Sequence, residues 1–212
     1  VDQRRTDTRT RLQSIALELF AERGYDGTSL REIAERLSIT KAAVYYHFRS
    51  KDEILTSLID DFLAQLDELV RWGRTQPEDS AMRAEVLRRY AGLLSGRTAE
   101  LARFVREGRS PIHELDLGIR IAHRYRELCD LLSPSAEPIE GQMRARIALS
   151  SLHIATTSDP QHTGTEAQRR AVALAIATQI LLEPHAAPSD DGPRVDAGSK
   201  RSKVTRPRNV IE

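Results

Sequence analysis

Apolar residues recur along this chain with helical spacing nearly throughout. Leu12, Ile15, Ala16, Leu19 and Phe20 fall at i, i+3, i+4, i+7 and i+8, the stripe of a first helix that Gly24 ends. Ser29 and Glu32 make an S-x-x-E capping box, and Leu30, Ile33, Ala34 and Leu37 form the apolar face of a second, two-turn helix. After Ser38 and Ile39, Thr40 can cap a third short helix over Lys41 to Phe48. Ser50 and Glu53 repeat the box. They open a long fourth helix whose stripe is Leu55, Leu58, Ile59, Phe62, Leu66 and Leu69.

Beyond Trp72, turn residues divide the chain into longer pieces. Helices are expected at about 81 to 95, 97 to 107, 115 to 132, 139 to 157 and 165 to 182, with breaks at Pro77, Gly96, Gly108, Pro111 and the stretch from Ser133 to Pro138. No segment alternates apolar and polar residues long enough to read as a strand, so the expected fold class is all-α. The last two helices carry apolar residues on more than one face: Met143, Ile147, Leu149, Leu152 and Ile154 in one, Val172, Leu174, Ala175, Ile176, Ile180, Leu181 and Leu182 in the other. Such helices must be covered on both sides. A homodimer through a four-helix bundle would do this, with Ile147, Leu152, Leu174, Ile180 and Leu181 as interface candidates; two central helices of a single core is the alternative.

Charge sharpens the division. Residues 1–51 carry 10 basic and 7 acidic side chains, residues 52–184 carry 16 and 20, and residues 185–212 carry 6 and 4. A basic head on an acidic body fits a nucleic-acid-binding head on a separate partner domain, as it also fits unevenly charged solvated helices. From Ala186 onward apolar content collapses, so 185–212 is expected to be a disordered basic tail; its Lys200, Arg201, Lys203, Arg206 and Arg208 either add nonspecific phosphate contacts or keep the chain in solution.

Several classes of function lose support. With one cysteine, Cys129, no intrachain disulfide or cysteine-rich zinc module can form. No apolar run is long enough to cross a bilayer and no secretory signal is evident, so a cytoplasmic protein with no membrane contact is expected. His113, His123, His153 and His162 fall into no metal-ligating pairing, and no glycine-rich phosphate loop is present. No catalytic residue, cofactor or metal is expected.

Two short helices joined by a tight turn, the second polar on its outer side, form a helix-turn-helix pattern. Ile33, Ala34, Leu37, Ile39, Val44 and Phe48 can pack inward on Leu19 and Phe20. Thr40, Lys41, Ala42, Ala43, Tyr45, Tyr46 and His47 remain outside, small near the helix start and rich in donors after it, which suits a major groove. The run Gly27-Thr28-Ser29-Leu30-Arg31-Glu32-Ile33-Ala34, then Thr40 to Phe48, then Lys51-Asp52-Glu53-Ile54-Leu55 resembles the DNA-binding head of TetR-family transcriptional regulators. The likeness covers about residues 8 to 58; beyond it only length, all-α character and the apolar terminal hairpin agree.

The resemblance implies roles position by position. Thr28 and Arg31, at the start of the second helix, would meet phosphates and up to one base, Thr40, Lys41, Ala42 and Ala43 would enter the major groove, and Tyr45, Tyr46, His47 and Lys51 would grip the flanking backbone, with Val44 and Phe48 in the core. Ser38 departs from the family, which usually has Gly there; a left-handed Ser would cost about 1 kcal/mol. The resemblance further implies a helix-turn-helix DNA-binding domain over 1–50 and a helical ligand-binding and dimerisation domain over 51–184. It also implies a homodimeric repressor that leaves a palindromic double-stranded operator when a small-molecule effector binds. Phe62, Trp72, Tyr90, Phe104, Tyr125, Met143 and His153 are the large side chains that could line an effector cavity, or plain core. The competing function is a ligand-independent architectural or scaffold DNA-binding protein.

Overall fold

The computed structural model describes residues 2–106, 116–134, 138–155 and 163–183. Among the described residues there are nine helices and no strand: α1 (Asp2–Arg23), α2 (Leu30–Leu37), α3 (Lys41–His47), α4 (Lys51–Gly73), α5 (Ser80–Leu93), α6 (Arg97–Arg106), α7 (Leu117–Leu132), α8 (Ile139–Ile154) and α9 (Glu166–Leu182). The all-α expectation holds, with each helix within a few residues of its sequence-based bounds. The 185–212 tail lies outside the described residues, as do His113 and His162.

Local chemistry fixes the first four elements. α1 ends at Gly24, where φ is +80° and the N–H returns to the Phe20 carbonyl at 3.0 Å. The chain then folds back so closely that a Cβ at Gly27 would lie 2.5 Å from the Arg23 carbonyl oxygen. Ser29 caps α2 with the full reciprocal box: its hydroxyl accepts from Glu32 N–H while the Glu32 carboxylate accepts from Ser29 N–H at 2.8 Å. Thr40 caps α3, accepting from Ala43 N–H at 3.2 Å. At α4 the box is only half made. Ser50 caps Glu53 N–H, but the Glu53 carboxylate takes the Arg49 N–H at 2.6 Å instead of that of the cap residue.

Burial divides the core into two clusters that share Phe62. The first joins Leu12, Leu19 and Phe20 of α1, Ile33 of α2, Val44 of α3, the N-terminal half of α4 through Leu63, Leu101 and Phe104 of α6, and Leu117 of α7. The second gathers Leu66 to Val70 of α4, α5, the C-terminal half of α7, α8 and α9. α8 and α9 pack through small residues, Ala145 and Ala148 against Ala173 and Ala177, all buried, which lets two helix backbones approach closely. The head cluster therefore continues past residue 50 into α4 and recruits α6 from the body.

Candidate nucleic-acid interface

Polar staples hold the three head helices to one another. Arg23 pairs with Glu32 at 2.7 Å and Arg36 with Glu22 at 2.9 Å, tying α2 to α1 on both sides. The Arg9 guanidinium lies 4.3 Å over the Phe48 ring and donates to the His47 carbonyl at 3.4 Å, so α1 also holds the end of α3. Sequence reasoning missed this role for Arg9, because the partner is a carbonyl and a ring thirty-eight residues or more away.

Two residues expected at phosphate face inward. Thr28 is 2% exposed, and its hydroxyl donates to the carbonyls of Leu19 (3.2 Å) and Gly24 (2.9 Å), locking the α1–α2 turn. A buried hydroxyl with both acceptors inside the protein has no reach to DNA, which corrects the expectation for Thr28. The Lys51 ammonium donates to the Tyr25 carbonyl at 2.6 Å and sits 4.5 Å over the Tyr25 ring, while the Tyr25 hydroxyl donates to Asp52. Lys51 thus joins the α1–α2 turn to the start of α4; it is first a structural residue.

The other head positions share one exposed helix surface or flank it. Val44 and Phe48 are fully buried, so the opposite side of α3 is forced outward. Thr40, Lys41 and Ala42 are exposed, Ala43 and His47 half-buried, and Tyr45 and Tyr46 are 46% and 68% exposed, unusual for tyrosine in the absence of a partner surface. The Lys41 ammonium lies 5.4 Å from the Tyr45 ring centre and the Tyr46 and His47 rings meet edge-on at 5.2 Å, which orders this surface before anything binds. On α2, Arg31 is exposed and paired with Glu35 at 2.8 Å, an exposed ion pair that can be exchanged for a phosphate at little cost. Arg49, exposed in the α3–α4 turn, is a further cation that the sequence reading passed over.

Residues 14–58 match the family described as bacterial regulatory proteins, tetR family. The head of the chain is similar to the DNA-binding segment of that family. It is 44% identical over 69 residues to the HTH-type transcriptional repressor KstR2 of Rhodococcus jostii, covering 31% of this chain and 34% of that protein. It is 42% identical over 57 residues to the negative transcriptional regulator IcaR of the biofilm operon of Staphylococcus epidermidis, covering 26% and 31%. The chain thus spans about a third of the length of these curated relatives. Among solved structures it is similar to PfmR of Thermus thermophilus, a TetR family transcriptional regulator, with a TM-score of 0.57 and 25% identity over 82% of this chain and 100% of that one. A transcriptional regulator from Aquifex aeolicus gives a TM-score of 0.60 at 20% identity over 82% and 99%, a likeness of fold.

In the body, the large side chains that could line an effector cavity separate. Phe62 and His153 line a cavity of about 310 Å³ between α4, α6, α7 and the end of α8. Tyr90, 1% exposed, stands behind it with its hydroxyl 2.7 Å from His153 Nε2, and burial pushes its phenol well above the usual range, so it stays protonated. The Tyr125 ring is 6.2 Å from that of His153, and its hydroxyl lies 3.3 Å from Ser150 Oγ. The remaining three are placed elsewhere. Phe104 stacks on Phe20 at 5.7 Å in the head core, Trp72 lies under the Arg89 guanidinium at 3.7 Å, and Met143 is exposed on α8.

The interface candidates divide as well. Leu152 and Leu181 are buried within their own chain, where α8 and α9 pack on each other and on α5, so neither is available to a second copy. Leu174 and Ile180 are half-buried against the same core. Ile147 is exposed, as expected. It continues into an exposed stripe from which the sequence pattern picks Ile147 alone as an interface residue: Ile139, Met143, Ile147 and Ile154 on α8, with Val172 and Ile176 on α9. The alternation that distinguishes them is one of angle around the helix, which a two-sided apolar pattern blurs.

Proposed function

We propose that this chain is a sequence-specific DNA-binding transcriptional regulator, a homodimeric repressor that leaves a palindromic operator when a small molecule binds its body. The observation that carries the reading is the outer surface of α3: Thr40, Lys41, Ala42, Tyr45 and Tyr46 stand exposed on a helix whose other side is fully buried, inside the segment that matches the family. The major groove, about 12 Å wide, admits such a helix. Ala42 and Ala43 allow close approach to base edges, Lys41 offers donors to a guanine, and Tyr45, Tyr46, His47, Arg31 and Arg49 reach the flanking phosphates. Repression is supported by the names of two relatives, a repressor and a negative regulator.

Dimerisation is supported by the exposed α8–α9 stripe, because six large apolar side chains on adjacent faces want a cover that a second copy supplies with two-fold symmetry. Two heads in such a dimer would meet half-sites about 34 to 36 Å apart, and a shift of a few ångströms between them breaks the register. α6 supplies the coupling. Leu101 and Phe104 belong to the head core, while Thr98, Ala102 and Val105 of the same helix face the body cavity, so a molecule in the cavity pushes on an element of the head. A polar latch reinforces it: Gln13 of α1, 2% exposed, donates to Ser57 and Asp61 of α4 and accepts from Arg97 at the start of α6 at 3.2 Å.

The test is a footprint and an anisotropy titration on DNA flanking this gene, beside a scrambled duplex and a Lys41→Ala, Tyr45→Ala variant. Protection of a palindrome, with affinity falling at least about tenfold in the variant and by orders of magnitude on the scrambled duplex, is the expected result. Equal affinity for any duplex, with a salt slope set by phosphate contacts alone, would turn the reading to the architectural DNA-binding protein.

A further inference from the structure

The two hydrophobic clusters do not close on each other completely. Phe62 packs against both, and beside it lies the cavity of about 310 Å³, whose walls draw Leu101 from the head cluster and Leu94 from the body cluster. We infer that this seam takes an uncharged, predominantly apolar small molecule, excluding carboxylates, phosphates and ammonium compounds. The inference rests on the ligand-responsive reading above and names the chemistry of its effector.

The wall supplies the reason. Among the described residues seven of the nine lining side chains are apolar, Thr98 and His153 are the polar ones, and no Asp, Glu, Lys or Arg is among them. A fixed charge entering such a site sheds its hydration and meets no opposite charge, whereas apolar surface gains from leaving water. The polar end is built for a neutral group. His153 and Thr98 make that end of the wall, and the buried Tyr90 hydroxyl, 2.7 Å from His153 Nε2, sets the orientation of the ring.

The other cavities differ in ways that assign them elsewhere. The cleft of about 530 Å³ between α4 and α7 is edged by Asp60, Asp67, Arg120 and Arg124, but these neutralise one another, Arg120 on Asp60 at 2.6 Å and Arg124 on Asp67 at 2.7 Å. The cleft of about 220 Å³ near Gly73 mixes Arg74, Arg83, Glu127 and Asp130, with Arg74 on Glu127 at 3.7 Å. The apolar groove of about 470 Å³ beside Ile154, Val172 and Ile176 coincides with the stripe that a second copy would cover. The seam cavity is apolar, set against both clusters, and separate from that stripe.

Two probes that differ by one sulfonate decide the matter. N-phenyl-1-naphthylamine is neutral, and 1-anilinonaphthalene-8-sulfonate carries a fixed negative charge on the same rings. In titrations of the full chain we expect the neutral probe to gain fluorescence with saturation at one per chain, and the sulfonate to bind at least about tenfold more weakly. Ala102→Trp, which fills the cavity from α6, should abolish the neutral probe's binding while the circular-dichroism melt stays cooperative; Val105→Phe, at a half-buried wall position, is the second filling variant if the first does not fold. Sulfonate binding as tight as the neutral probe and lost in the same variants would overturn the chemical class. Neutral-probe binding unchanged by either variant would overturn the site. A parallel operator titration separates the underlying reading: probe binding that leaves operator affinity unaltered keeps the cavity assignment and sinks effector release.

Discussion

The turns of the head are tied by named polar groups, whereas the α8–α9 hairpin of the body is held by alanines and leucines. In the head, Ser29, Thr40 and Ser50 cap three successive helices, Thr28 closes one turn and Lys51 bridges it to α4. In the body, Asp79 caps α5 and Thr165 with Gln168 makes a full capping box on α9, but α7 and α8 start at Asp116 and Pro138 with no side-chain cap, and α8 meets α9 through Ala145, Ala148, Ala173 and Ala177. A cap needs a particular residue at a particular position; an apolar helix contact accepts many combinations of similar volume. The Ser29, Thr40 and Ser50 caps all fall inside residues 14–58, the segment that matches the family.

The largest effects belong where the two regions meet. Phe104 reaches from α6 into the head core, 1% exposed and stacked on Phe20. Phe104→Ala should cost about 3 to 5 kcal/mol, the usual loss for a buried aromatic. If α6 makes head and body one cooperative unit, a single melting transition shifts down whether helix content or Trp72 fluorescence reports it. A head transition that moves alone, with the Trp72 signal unchanged, would break the coupling. The latch is the next step down: Gln13→Leu leaves Ser57, Asp61 and Arg97 without their central partner and should cost about 1 to 3 kcal/mol. Its sharper readout is operator affinity at saturating effector, which should fall less than in the parent chain if the latch transmits the change.

How much of this was legible follows the same division. The stripe of α1, the box at Ser29 and the cap at Thr40 are local, so spacing alone located α1 to α4, and the outward set on α3 followed once Val44 and Phe48 were placed inside. Thr28 and Lys51 were not legible as structural residues, because their acceptors are backbone carbonyls of the α1–α2 turn, invisible until the chain folds back. In the body, seven large side chains read equally well as cavity or core; only Phe62 and His153 line the cavity, because what separates them from Trp72 or Met143 is which neighbour covers each face.

Thr28 offers the direct test of inward against outward roles. Thr28→Val keeps the shape and removes the hydroxyl, leaving the Gly24 and Leu19 carbonyls short of a donor in a buried turn. The expected cost is about 1 to 2 kcal/mol of stability in chemical denaturation, with operator affinity of the folded protein unchanged. A tenfold loss of affinity at unchanged stability would return Thr28 to the phosphate-binding set.

Ser38 carries the smallest effect and the one of opposite sign. It closes α2 with φ +55° and ψ +40°, the left-handed region, and its N–H satisfies the carbonyls of Ala34 and Glu35. The conformation is demanded by the turn between α2 and α3, yet a side chain there crowds its own backbone, a strain of about 1 kcal/mol that glycine avoids. Glycine also loosens the unfolded chain, which offsets part of the gain. Ser38→Gly should therefore stabilise by about 0.5 to 1 kcal/mol, read as a small rise in denaturation midpoint at constant m-value. Because the turn angle orients α3, the same variant should leave operator affinity within about twofold, unless the hydroxyl itself sets that angle. A stabilised head that binds DNA much more weakly would mean that the Ser38 side chain, exposed beside α3, belongs to the recognition surface and not only to the fold.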